Sequence, residues 1–394
     1  MKKIFIVRHS AVVPSDYSKP KDWREVTFFK WSKAHFEQAE LLISSFDHYA
    51  LKQRNKLDFE GSEDVVVFKT PGYKKTVSIL RVIDAWVFGF KILIYALKRV
   101  QKTDVVVVSL PTPESAFFLS IARLLKRYTL IVDVRDNWPD NFTGQGMIKK
   151  IFSTYVRGLN HITFMVADKF IWMSDGLQAN HKAKGLSKRS DAKEVTIPVP
   201  LPRFPLILTE TAELDYLFKK PALAFFGTLN PQFDLSILKS HIDCSPSSYE
   251  FNYIIAGSGE KLTFLKKIFS GYDNVFFLGQ IPFEKTQIIS RRCSGFFLYY
   301  REPETYANHI TNKFREYAEH RKPIFHNLIS SNFTIGEKAY KIGCSCHEFS
   351  FEEALVAIKT TTFSQIFAIE SLERLANDLS WNTLERQFIS TLED

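Results

Sequence analysis

Apolar positions in the first half of the chain alternate between two patterns. Short β-branched runs at residues 3–7, 65–68, 105–109, 130–134 and 170–173 predict strands. Longer stretches with apolar residues three and four apart, at 32–45, 79–100, 113–125 and 147–167, predict helices. The runs DVVVVS and TLIVDV are apolar on both faces, as central strands of a covered parallel sheet are. Strands alternating with helices give an α/β domain.

The pattern breaks at residues 197–208, IPVPLPRFPLIL, where four prolines remove backbone donors and disfavour helix before each of them. It then restarts. Strands are predicted at 222–226, 253–256, 275–278, 295–300 and 323–325, and helices at 235–240, 260–269, 283–291, 312–320 and 351–360. The segment 369–392 reads as helical. The boundary is therefore placed at residue 200. Two α/β domains in tandem imply a ligand cleft between them.

Composition narrows the class. The chain has 394 residues, 45% hydrophobic and 24% charged, which fits an ordinary folded protein of two domains. Four cysteines are too few for a disulfide scaffold and imply a reducing compartment. The opening MKKIFIVRHS has only four apolar residues before Arg8, too short for a secretory signal. The most apolar stretch, 82–97, contains Asp84 and Lys91, so a buried helix is expected there, not a membrane span. Charge is uneven. Residues 1–200 carry 32 Lys and Arg against 20 Asp and Glu, a net of +12 in a chain whose total is +9. A field of that sign attracts nucleic acid, acidic glycans or an anionic membrane surface.

Candidate chemistry lies where strands end. Gly227 follows the run ALAFF, and Gly257, Ser258 and Gly259 follow YIIA; such turns let backbone amides approach a diphosphate. Gly279 ends a third run. In TNKFREYAEHRKP, Lys313 and Glu316 share a helix face, a lysine suited to phosphate and a carboxylate suited to a ribose diol, or a simple surface ion pair. In IVDVRDNWPD, Arg135 suits an anionic group and Asp136 a base or sugar ligand; a local Arg–Asp pair organising the loop is the alternative. Cys344 and Cys346, with His347, are too few for a closed zinc site and are taken as core residues. Serine-nucleophile, Walker and zinc-protease motifs are absent.

From about residue 104 onward these pieces resemble, in order, the bacterial glycosyltransferases of the GT-B fold, in the large group that includes family 4, and within it the branch that builds capsule, O-antigen or exopolysaccharide. The matching segments are VDVRDNWPD, ADKFIWMSDGLQ, FFGTLNPQFDLSIL, AGSGE with NVFFLGQIPFEK, NKFREYAEHRKPI and LSWNTLERQ. The resemblance implies two Rossmann-like domains whose parallel sheets face an interdomain cleft. Residues 1–200 would take the acceptor, 201–375 the nucleotide-sugar donor, and 376–394 would form a helix returning to the first domain. It implies Glu316 on the ribose, Gly227, Thr228 and Gly257 against the diphosphate with Lys313, and Gln280 and Ile281 near the base. Asp136, Arg135 and Asn308 become the catalytic candidates. No metal or other cofactor is implied, since helix dipoles and basic side chains stabilise the departing diphosphate. Retention of anomeric configuration is implied, with a UDP-sugar the more common donor than a GDP-sugar.

Two positions depart from the family pattern. Where a first glutamate often stands, this chain has Asn308, with Glu302 and Glu304 upstream. The Arg and Lys expected after Gly227 are replaced by Thr228, Phe233 and Asp234, leaving Lys313, Arg315 or Arg301 for the phosphates. The expected partners are a nucleotide sugar, a lipid-linked or glycan acceptor and, through the basic first domain, the anionic inner face of the cytoplasmic membrane; nucleic acid is not expected. Residues 141–190, with eight Lys and Arg against two Asp and Glu, are the segment expected on the headgroups. A nucleotide-sugar epimerase on the same fold, or a non-catalytic glycan-binding module, are the alternatives.

Overall fold

The computed structural model describes residues 2–10, 24–48, 51–54, 63–75, 78–136, 138–140, 146–184, 188–200, 212–306, 311–335, 338–360 and 366–393. The chain forms two compact units, Met1–Pro200 with Trp381–Asp394, and Leu201–Ser380.

In the first unit the chain runs β1 (Ile4–Arg8), α1 (Arg24–His35), β2 (Ala39–Ser44), β3 (Val65–Phe68), α2 (Ile79–Arg99), β4 (Val105–Leu110), α3 (Pro113–Lys126), β5 (Thr129–Val134), α4 (Gly146–Val166), β6 (Lys169–Trp172), α5 (Asp175–Ala183) and β7 (Lys193–Thr196). The seven strands form one sheet in the order β3-β2-β1-β4-β5-β6-β7, every pair parallel. All residues of β1 and β4 are buried, as the unbroken apolar runs require. Chain order reverses between β1 and β4, so the carboxyl ends of these two strands open a crevice.

The second unit repeats the plan: β8 (Ala222–Phe226), α6 (Ser236–Cys244), β9 (Asn252–Ala256), α7 (Leu262–Ile268), β10 (Val275–Gly279), α8 (Phe283–Arg292), β11 (Gly295–Leu298), α9 (Asn312–Ala318), β12 (Ile324–His326), the hairpin β13 (Asn332–Ile335) and β14 (Lys338–Lys341), β15 (Cys344–Ser345), α10 (Phe351–Lys359) and α11 (Ile369–Asp378). Its sheet has the order β10-β9-β8-β11-β12-β15, parallel throughout. The reversal falls between β8 and β11.

Two expectations are corrected. Residues 32–45 are not one helix: α1 ends at His35 and Ala39–Ser44 is the buried strand β2. Residues 369–392 are helical as read, in α11 and α12 (Trp381–Glu393), and only the second belongs to the first unit. There Phe388 stacks on Phe28 at 4.1 Å and Trp381 meets Trp31 edge-on at 5.2 Å, which ties the end of the chain to α1. Cys344 is a core residue, but Cys346 lies past the end of β15 and is half-buried. Among the described residues no helix is long and apolar enough to cross a membrane.

Candidate functional site

In the second unit, three strand ends meet at a cavity of about 230 Å³ lined by Gly227, Thr228, Gly257, Ser258, Gln280 and Ile281 among others. Glycine makes the convergence possible. Gly257 has φ +151°, and a Cβ there would stand 1.8 Å from the Gly227 carbonyl oxygen. With no side chain in the way, the loops after β8 and β9 are laced together: Gly227 N–H donates to Ala256 O at 3.0 Å, Leu229 N–H to Ser258 O at 2.9 Å, and Gly257 N–H to Gly279 O at 2.7 Å.

Helix α9 is docked over the same edge. Tyr317 stacks on Phe296, rings 4.3 Å apart and nearly parallel. Its hydroxyl accepts the Phe226 N–H, the last of β8, at 3.0 Å. Lys313 lies one turn earlier on the same helix face, so it comes down on Gly227, whose absent Cβ would be 2.8 Å from Lys313 Cε. Lys313 Nζ also meets Glu316 Oε2 at 2.9 Å, both side chains mostly buried. All seven donor-side candidates therefore belong to one neighbourhood, five lining the cavity and two on the helix beside it. The arrangement offers a cation and glycine-rich backbone to a phosphate, and a carboxylate to a neighbouring diol.

The other candidates are placed differently. Arg315 is buried and bonds Asn312 Oδ1, while Arg301 is exposed. Asp234 Oδ1 accepts the Ser236 N–H at the start of α6, a structural use of that position. Asn308 lies outside the described residues. In the first unit Arg135 does not pair with a loop aspartate; its Nη1 donates to Glu25 Oε2 at 2.7 Å. Asp133 is fully buried between Arg24 Nε and Ser109 Oγ, both at 2.8 Å. Asp136 is exposed. Among the described residues no group of three or more His, Cys, Asp or Glu converges as metal ligands do.

The sequence reading passed over a second cavity. About 290 Å³ opens at the carboxyl ends of β1 and β4, lined by His9, Arg81, Thr112, Glu114, Trp138 and Phe152 among others. His9 Nε2 lies 2.6 Å from Asp84 Oδ2, and Asp84 Oδ1 accepts the Gly72 N–H at 2.6 Å. Burial acts to raise the Asp84 pKa; the hydrogen bonds from His9 and Gly72 outweigh it and hold the carboxyl below its ordinary value. Glu114 is buried and accepts the Tyr155 hydroxyl at 2.6 Å; burial raises its pKa. The available signal was His9 itself, a polar residue immediately after an apolar strand, where a parallel sheet presents its ligand-facing ends.

The chain matches no protein-family model and no curated protein. Solved structures do match over its whole length. Anabaena Alr3699/HepE in complex with UDP superposes with a TM-score of 0.62 at 14% identity, covering 100% of both chains. The lipopolysaccharide outer core galactosyltransferase WaaB gives 0.58 at 12% identity, again over 100% of both. A Listeria monocytogenes protein assigned as a UDP-N-acetylglucosamine 2-epimerase gives 0.56 at 9% identity, covering 100% of this chain and 96% of that one. At these identities the likeness establishes the fold, GT-B, with two Rossmann-like units.

Proposed function

We propose that the protein is a glycosyltransferase that moves a sugar from a nucleotide-sugar donor to a lipid-linked or glycan acceptor. One observation carries the reading: loops distant in sequence bring Gly227, Thr228, Gly257, Gln280 and Ile281 around one cavity, with Lys313 and Glu316 on the helix beside it. Lys313 and the loop amides would meet the diphosphate, Glu316 the ribose, and Gln280 and Ile281 the base. Lys313 would neutralise charge as the diphosphate departs, so that no metal is needed. UDP is favoured as the nucleotide because the HepE structure holds it.

Arg135, Asp136 and Asn308 are proposed on the acceptor side. The setting proposed is surface-polysaccharide synthesis at the inner face of the cytoplasmic membrane. Support comes from the positive charge of residues 1–200 and from exposed Ile79, Met147, Ile148 and Ile151 beside Lys149 and Lys150. Retention of anomeric configuration is proposed with it, as the family resemblance implies. Epimerisation is the second reading, favoured by the Listeria neighbour.

The test is a thermal-shift screen against UDP, GDP, CMP, ADP and common nucleotide sugars. A ligand at 100 times its Kd stabilises the native state by about 2.7 kcal/mol. A shift with uridine nucleotides alone supports the donor reading, and no shift with any of them contradicts it. NMR of a bound nucleotide sugar without acceptor separates epimerase from transferase.

A further inference from the structure

We propose that the second unit carries a separate carbohydrate-binding site at the amino ends of its strands, in a cavity walled by Tyr216, Tyr249 and Phe276, which holds a segment of a glycan chain. The proposal goes beyond the donor reading and does not depend on it.

The cavity is about 400 Å³ and all of its lining belongs to the second unit. Lys219 and Lys220 stand just before β8, Asn252 opens β9 and Asn274 immediately precedes β10. The glycine-lined cavity lies at the other ends of the same three strands, about 16 Å away at 3.3 Å per residue. The walls are pinned in place. Asn252 Nδ2 donates to Leu217 O at 2.9 Å, within the short helical turn Ala212–Phe218. Asn274 Nδ2 donates to Ser248 O at 3.1 Å and Phe251 O at 3.0 Å, in and just after the turn Pro246–Glu250. Lys220 Nζ donates to Tyr249 O at 2.7 Å, and Arg292 Nη1 of α8 to Asp215 Oδ1 at 2.7 Å.

Each pinned turn presents a tyrosine. Tyr216 is 45% and Tyr249 58% exposed. Tyr216 meets Phe276 edge-on, rings 5.7 Å apart, and the pair makes an apolar corner. Among the described residues the Tyr249 ring packs on no other ring or cation, and neither tyrosine hydroxyl has a hydrogen-bond partner. Two aromatic faces left open on the rim of one cavity are surface that a ligand can cover.

The polar groups select the ligand class. Asp273 and Lys219 are exposed and, among the described residues, unpaired. Asn252 and Asn274 are buried and use their amide nitrogens on the walls; each Oδ1 has no hydrogen bond among the described residues. The cavity thus combines a carboxylate and amide oxygens as acceptors with an ammonium donor. A phosphate brings acceptors alone and meets Asp273 with like charge. A sugar brings hydroxyls that donate to Asp273 and accept from Lys219, together with a ring face of C–H groups that packs on tyrosine. On the transferase reading, a glycan held there stays at high effective concentration near the enzyme.

The experiment adds maltotetraose, cellotetraose and chitotetraose to the full-length protein, with saturation-transfer NMR and calorimetric titration as readouts. Saturable binding of at least one tetrasaccharide through its ring C–H protons is expected. Tyr216→Ala/Tyr249→Ala should weaken it about tenfold or more. Both side chains are about half-exposed, so this variant should unfold at the wild-type temperature. Tyr216→Phe/Tyr249→Phe keeps the rings and should bind within threefold of wild type. Asp273→Asn should weaken binding about fivefold. UDP affinity should stay within twofold of wild type in all three, and Lys313→Ala/Glu316→Ala should leave tetrasaccharide affinity unchanged. Binding of none of the three tetrasaccharides overturns the proposal. So does wild-type affinity in the double alanine variant, loss of saccharide binding in the Lys313/Glu316 variant, or displacement of the saccharide by inorganic pyrophosphate. Wild-type protein that binds a tetrasaccharide but no UDP overturns the donor reading and supports this site.

Discussion

Lys313 lies across the face of Gly227, close enough that a single added methyl at Gly227 would stand 2.8 Å from Cε and 3.2 Å from Nζ of the lysine. Gly257 makes a tighter approach, with Gly227 backbone oxygen where its Cβ would be. The two glycines therefore have different consequences. Gly227 stands at φ +153°, so an alanine there also strains the backbone, but its Cβ meets only a flexible side-chain end; Gly227→Ala should cost less stability than Gly257→Ala while UDP affinity drops about tenfold, or about 1.4 kcal/mol. Gly257→Ala drives two backbones apart at a positive φ and should lower stability by about 3 kcal/mol or more. Calorimetry reads the first and urea unfolding the second.

The proposed function assigns Lys313 and Glu316 to different parts of a nucleotide. Lys313→Ala should weaken UDP much more than uridine, because its target is the diphosphate, and the difference should shrink in high salt. Glu316→Ala should weaken UDP and uridine alike, because its target is the ribose. Competition titrations with both ligands decide. Equal loss of uridine and UDP in the lysine variant would remove it from the phosphates.

The returning helix α12 is held by aromatic packing. Phe388 is fully buried against Phe28 and also touches Trp31, rings 5.7 Å apart. Phe388→Ala should cost about 3–5 kcal/mol in urea unfolding, with UDP affinity unchanged, since the residue belongs to the first unit.

Acid should destabilise the second unit before its carboxylates titrate. Burial pushes His326 down to about 4, and likewise His241 and His320. His326 shows why: Nε2–H donates to Ile342 O at 2.8 Å while Nδ1 accepts the Leu328 N–H at 3.2 Å, a pairing only the neutral ring can make. The unfolded chain binds protons near 6.5 and the folded chain does not. Stability is thus full above pH 6.5 and falls as pH drops toward 4, by up to about 1.4 kcal/mol per unit for each group. Urea midpoints between pH 7 and pH 4.5 should fall steadily, and His326→Gln should flatten the curve.

Much of this architecture was legible because central parallel strands are buried on both faces and leave continuous apolar runs; Val65–Phe68 and Ala222–Phe226 were read to the residue. Periodicity failed where a helix and a strand adjoin. In SKAHFEQAELLISS the apolar positions of α1 run into those of β2 and imitate one helical stripe. Glycine after a strand is a local signal, and it pointed to Gly227 and Gly257, which line one cavity. The partners of Arg135 and His9 are long-range: Glu25 lies 110 residues from Arg135 and Asp84 lies 75 from His9. No window of sequence contains both members of either pair.

The measurement that bears most directly on the donor site is a calorimetric titration of UDP into the wild-type protein and into the Lys313→Ala/Glu316→Ala double variant. Saturable binding at one site in the wild type, lost in a double variant that unfolds at the wild-type temperature, is the predicted result. Wild-type protein that binds no uridine nucleotide, or a double variant that binds UDP as tightly as wild type, would contradict it.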